Sequence, residues 1–115
     1  MGISEDIRAA HKTTQVEQRL TGIASASVDR RITLVRQLHD HFMPQLVPKF
    51  LPQVTKLLSD NDPAVRYQVV LLLQHLFDLH SKGFAKTSGA LAGLVQDASM
   101  DNRTAALGLL DKIAL

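Results

Sequence analysis

From Asp60 to Leu79 the chain reads as a single helix that must be covered on more than one flank, and no other stretch limits the possible folds as tightly. Asp62 suits the N-cap, and Pro63 suits the first helical position, where its missing N–H forfeits no bond. Val65, Val69, Leu72, Leu76 and Leu79 follow helical spacing. Val70, Leu73 and Phe77 add a second apolar stripe beside the first. A helix apolar over so much of its circumference needs neighbours on both sides, so the fold must place other helices around it.

The flanking sequence supplies candidates. Ser4, Glu5 and Asp6, followed by Ile7 and Ala10, predict a short or frayed segment over residues 1–13, interrupted by His11-Lys12-Thr13-Thr14. Thr14 and Glu17 have capping-box spacing, so the first packed helix is expected over 14–25, with Val16, Leu20 and Ile23 as its stripe. Val28, Ile32, Val35, Leu38 and Phe42 predict a second helix over 27–42. Pro44, Pro48 and Pro52 require the third to begin or bend at the prolines, with Phe50, Leu51, Val54, Leu57 and Leu58 inward. A turn follows at Ser81-Lys82-Gly83, a thin fifth helix is expected over 87–97, and a sixth carries Ala106, Leu107, Leu110 and Ile113 to the C-terminus. Nothing alternates with period two, so no strand is expected.

Comparison of the chain with itself gives an internal repeat. A shift of 37 residues places Asp60 on Asp97, Arg66 on Arg103, Leu72 on Leu109, Leu73 on Leu110 and Leu76 on Ile113. The same shift backwards places Val65 on Val28, Val69 on Ile32 and Leu72 on Val35, with no Asp–Arg pair there. A period of this length marks stacked units that cannot bury their faces alone, here near 14–42, 44–80 and 84–115. At 115 residues, with 45% apolar and 21% charged residues, they make one domain able to bury a core without disulfides or metal. A cation in a helix's first turn opposes the macrodipole, so Arg66 and Arg103 need carboxylates. Asp60 and Asp97 are the available partners, within one unit or across the stack as a ladder; a phosphate-binding role for the two arginines is the functional alternative.

These residues resemble the HEAT-repeat family, whose unit has a proline in its first helix, an aspartate in the turn and Val-Arg opening its second helix. Pro52, Asp60, Val65 and Arg66 stand at the matching positions. In the last unit Asp97 and Arg103 match, with Gly89 in the proline's place and Asn102 in the valine's; in the first unit only the apolar stripe does. The resemblance implies an all-α fold, a short right-handed, armadillo-like α-solenoid of three helical hairpins, used to hold other macromolecules. Leu58 to Arg66 also look similar to stretches in HEAT arrays of RNA-processing, ribosome-assembly and chromosome complexes.

The chemistry-bearing residues point away from catalysis. With no cysteine, disulfide scaffolds, zinc fingers and thiol chemistry are excluded, and an intracellular location, cytoplasmic or nuclear, is the compatible expectation. Histidines at 11, 39, 41, 75 and 80 include no i, i+4 pair, so no metal is expected, and no other cofactor motif is present. Asp60 and Asp62 could serve as acid and base, but a capping turn explains both. The longest apolar run, Val69 to Leu73, is far short of a membrane span.

An interaction module remains. Tyr67, Gln68, Gln74, His75 and Asp78 lie on the central helix away from its stripes and are the candidate protein-binding positions, with Tyr67 as anchor. Packing of Tyr67 on a neighbouring helix end is the structural alternative. The rival function is nucleic-acid association through Arg30, Arg31, Arg36 and Lys49, weakened by a net charge of only +2, one Tyr and no Trp for stacking. The sixth helix carries Leu107, Leu109, Leu110 and Ile113 over more than one face, so its outer side is expected to be a contact surface for a partner, a second copy or further repeats.

Overall fold

Capping decides where the helices begin. In the computed structural model, which describes residues 2–115, the Asp62 carboxylate accepts the N–H groups of Ala64 and Val65, and Pro63 takes the first helical position. Ser27 and Ser99 cap in the same way, accepting from the Arg30 and Asn102 amides. Six α-helices result: α1 Gly2–Ile23, α2 Val28–Leu38, α3 Val47–Lys56, α4 Pro63–Leu79, α5 Ala85–Leu94 and α6 Met100–Ala114. Single 3-10 turns at Pro44–Leu46 and Leu57–Ser59 flank α3, and no strand occurs among the described residues.

Helix α1 packs on α2, α3 on α4 and α5 on α6, while α4 also lies between α2 and α6, and α3 touches α5. The resulting body measures 46 × 36 × 17 Å, its short axis matching two helices set about 8–10 Å apart. Both stripes of α4 are consumed by this arrangement: Val65, Val69, Val70, Leu72, Leu73 and Leu76 have no solvent exposure. Phe42 and Phe50 meet edge to face with centroids 6.1 Å apart, tying the turn after α2 to α3, and Phe77 and Phe84 do so at 5.2 Å, tying α4 to the turn before α5. Gly83 takes φ +89° in the turn before α5, a conformation that other residues reach only under strain.

Several boundaries differ from the sequence reading. The expected break at 11–14 is absent: α1 runs unbroken from Gly2 to Ile23, and only Met1 of the expected 1–13 segment lies outside the described residues. Thr13 and Thr14 do not cap; their hydroxyls donate to the carbonyls of Ala9 and Ala10 one turn back, which satisfies them inside a helix. Helix α2 stops at Leu38 rather than at 42, although Phe42 still enters the core from the turn that follows. Helix α5 occupies Ala85–Leu94 rather than 87–97, because Phe84 anchors its start and the Asp97 turn begins earlier. Pro52 sits inside α3 with its ring exposed, as is Pro48, whose carbonyl would have received the missing N–H and is left to water.

Replacing Leu72 by Ala should remove about 2–5 kcal/mol of stability as a core truncation. Urea melts with an unchanged slope and a lower midpoint are the expected result.

Candidate functional site

Three arginines occupy the same place in three helices. Arg31, Arg66 and Arg103 each stand four residues after an N-cap, and each backbone amide donates to that N-cap's carbonyl, of Ser27, Asp62 and Ser99 respectively. Left alone, a guanidinium there would face the positive end of the helix dipole. Each folds back instead and donates to a carbonyl of the preceding turn at 2.7 Å: Ala26 for Arg31, Asp60 for Arg66, Asp97 for Arg103.

The remaining guanidinium donors reach forward to the next helix pair. Arg31 Nε and Nη2 donate to the two carboxylate oxygens of Asp60 at 2.9 and 3.2 Å. Arg66 repeats this with Asp97: Nε lies 2.9 Å from Oδ1, an ion-pair contact, and Nη2 donates to Oδ2 at 3.2 Å. Each aspartate also accepts a backbone N–H two residues on, from Asp62 and Ser99, so the carboxylate that receives the arginine also shapes its own turn. Of the two arrangements the sequence allowed, the ladder between units is the one formed, and Arg66 uses only the backbone of Asp60. Arg31 therefore leaves the basic face to which the sequence reading assigned it.

Asn102 stands where the repeat pattern has a valine. It is fully buried, and its amide donates to the Pro63 carbonyl at 3.0 Å and to Asp97 at 3.1 Å, joining the start of α4 to the start of α6. Burial by itself would raise the Asp97 pKa, but hydrogen bonds from Arg66, Ser99 and Asn102, with the Arg66 charge, hold it below the usual carboxylate range.

The candidate protein-binding residues divide between two flanks of α4. Tyr67, Gln74 and Asp78 share its outer face with Leu71, which the sequence reading had not included. Asp78 pairs with Lys112 Nζ at 2.8 Å, a well-exposed pair that contributes little. His75 turns toward α2, where its ring stacks on His39 at 5.2 Å, and Gln68 lies seven residues earlier on the same flank. Arg30 and Arg36 are exposed but lie about 120° apart around α2. Lys49 projects from α3, its Nζ 5.4 Å from the Phe50 ring centroid. Between α3 and α5 runs a groove of about 420 Å³ floored by Leu51 and Pro52, with Lys82 and Lys86 at its rim. Burial, then the charge of His75, lowers the pKa of His39; burial, then Arg19 and Lys12, lowers that of His41.

Two measurements check this geometry. A double-mutant cycle on Arg66→Ala and Asp97→Ala should give a coupling above about 1 kcal/mol, with Arg66 and the Asp60 side chain nearly additive. Acid should act in two stages. His39 and His41 have lowered folded pKa values, so stability is complete above the unfolded value of 6.5 and falls below it. The lowered Asp97 pKa contributes stability above its unfolded value of 3.8 that is lost as pH falls through the folded value. Denaturant midpoints against pH should lose the upper stage in a His39→Gln, His41→Gln variant and part of the lower one in Asp97→Asn.

Comparison with curated proteins and with solved structures gives no significant match. The model of the HEAT repeat family matches residues 50–80, spanning most of α3, the aspartate turn and α4. Pro52, Asp60, Val65 and Arg66 all fall inside that match, so the central segment of the chain is similar to a HEAT repeat.

Proposed function

We propose that the pairs α1–α2, α3–α4 and α5–α6 stack as a short right-handed α-solenoid, and that the chain is a noncatalytic scaffold module binding a partner protein's segment across its second helices. The observation that carries this reading is the outer face of α4, where Tyr67, Leu71 and Gln74 remain only half-buried after α2, α3 and α6 have covered the other flanks. A large amphipathic ring beside a leucine and an amide is the mixture that anchors peptide segments. HEAT repeats commonly serve as protein-interaction scaffolds, which supports the same reading. The ladder arginines serve the stack in this account. For the nucleic-acid rival, the loss of Arg31 to Asp60 leaves Arg30, Arg36 and Lys49 without a common face.

Partners recovered from native lysate should bind Tyr67→Ala at least several-fold more weakly by titration, as expected for an anchor costing above about 1 kcal/mol. Arg30→Glu with Arg36→Glu should bind them unchanged, and binding to nonspecific duplex should be weak at physiological salt. Abolition of binding by the charge reversals, with Tyr67→Ala unaffected, would transfer the function to the basic residues.

A further inference from the structure

The groove between α3 and α5 joins an apolar floor to a rim of one sign of charge. Pro48 and Pro52, one turn apart along α3, leave their rings exposed beside Leu51. The volume of about 420 Å³ suits a few side chains rather than a whole folded element. The opposite wall is fixed from behind: α5 buries Leu91 and Leu94 and packs on α6, whose Leu109, expected at an outer surface, is wholly in the core. Across the groove the Thr55 and Thr87 hydroxyls lie 3.1 Å apart and share one hydrogen bond. That bond uses one of their two hydrogens, and the other meets no acceptor among the described residues.

Charge is distributed unevenly around these walls. Although the whole chain carries only +2, residues 41–59 and 79–96 contain Lys49, Lys56, Lys82 and Lys86 and no Asp or Glu. Asp60, Asp78 and Asp97, next in the chain to these stretches, are paired with Arg31, Lys112 and Arg66. Lys82 and Lys86 are exposed at the groove and meet no carboxylate among the described residues.

We infer that this groove docks an acidic segment of a partner protein, with one apolar side chain seated on Leu51 and Pro52 and flanking Asp or Glu residues at Lys82 and Lys86. Charge complementarity selects the acids, and the proline floor selects the apolar residue between them. A nucleic acid would use the lysines but not the floor, and no aromatic ring lines the groove for a base to stack on. The site lies on α3 and α5, whereas Tyr67 and Leu71 lie on α4, so it stands apart from the reading given for that helix.

The test uses the full chain and an arrayed library of fluorescent ten-residue peptides, in which acidic residues flank one varied position. Anisotropy should show saturable binding where that position is Leu, Ile, Met or Phe, weakening as salt is raised. Lys82→Glu with Lys86→Glu should weaken it about tenfold or more. Pro48→Glu should do the same from the other wall, at an exposed first-turn position of α3 where an acid suits the helix. Tyr67→Ala should leave binding unchanged, and unaltered urea midpoints in all three variants would show that each still folds. Equal binding with Ser at the varied position, or an equal loss from Lys49→Glu with Lys56→Glu, would reduce the effect to general attraction of polyanions and overturn the proposal. So would a library with no member binding more tightly than about millimolar. An unmodified chain whose scattering mass doubles with concentration, but not after reversal of Lys82 and Lys86, would overturn it by giving the groove to a second copy.

Discussion

A guanidinium in the first turn of a helix is in the wrong place electrostatically, and the packing of this protein follows from how that is resolved. One side of the group is satisfied by a carbonyl of the turn that precedes its own helix, and the other by a carboxylate from the turn of the next pair. At Arg66 and Asp97 these side chains are only 16% and 8% exposed, so each ion depends on the other for its solvation. A buried pair of this kind adds little net stability over an apolar substitute, but removing one member is costly. Its contribution is therefore to fix position. The turn can sit at one height along the neighbouring helix, and the apolar stripe beyond the arginine is aligned by the same contact.

That alignment explains why α4 tolerates two apolar stripes. A helix with so much apolar surface could pack in several rotations about its axis, since leucines and valines are nearly interchangeable as contacts. With Arg66 held at one end, Val70 and Leu73 must face α6. Asn102 reinforces the choice by reaching from α6 to the Pro63 carbonyl. Polar groups at the turn set the register, and apolar groups below it supply the burial energy.

Much of this was legible in the sequence because it rests on local rules. The α4 start, its buried residues and the all-helical fold follow from a cap, a proline and periodicity, and the aspartate and arginine echo at 37 residues announced the second rung. The first rung was hidden by its register. From N-cap to N-cap the spacing is 35 residues between Ser27 and Asp62 but 37 between Asp62 and Ser99, so a fixed shift passes over Arg31. Alignment on the caps would have found it. Thr13 and Thr14 misled for a different reason: a threonine hydroxyl can bond outward to begin a helix or backward to continue one, and the sequence around it does not distinguish the two. The rotation of Gln68 and His75 away from the Tyr67 face depended on where α2 lies, which is tertiary information.

The ladder also has a direction in time. Every donor lies N-terminal to its acceptor, Arg31 by 29 residues before Asp60 and Arg66 by 31 before Asp97. During synthesis each arginine, with the apolar stripe beside it, leaves the ribosome before the carboxylate that will hold it. Each completed pair thus waits as an open template for the one that follows, and the order of translation is the order in which the rungs can close.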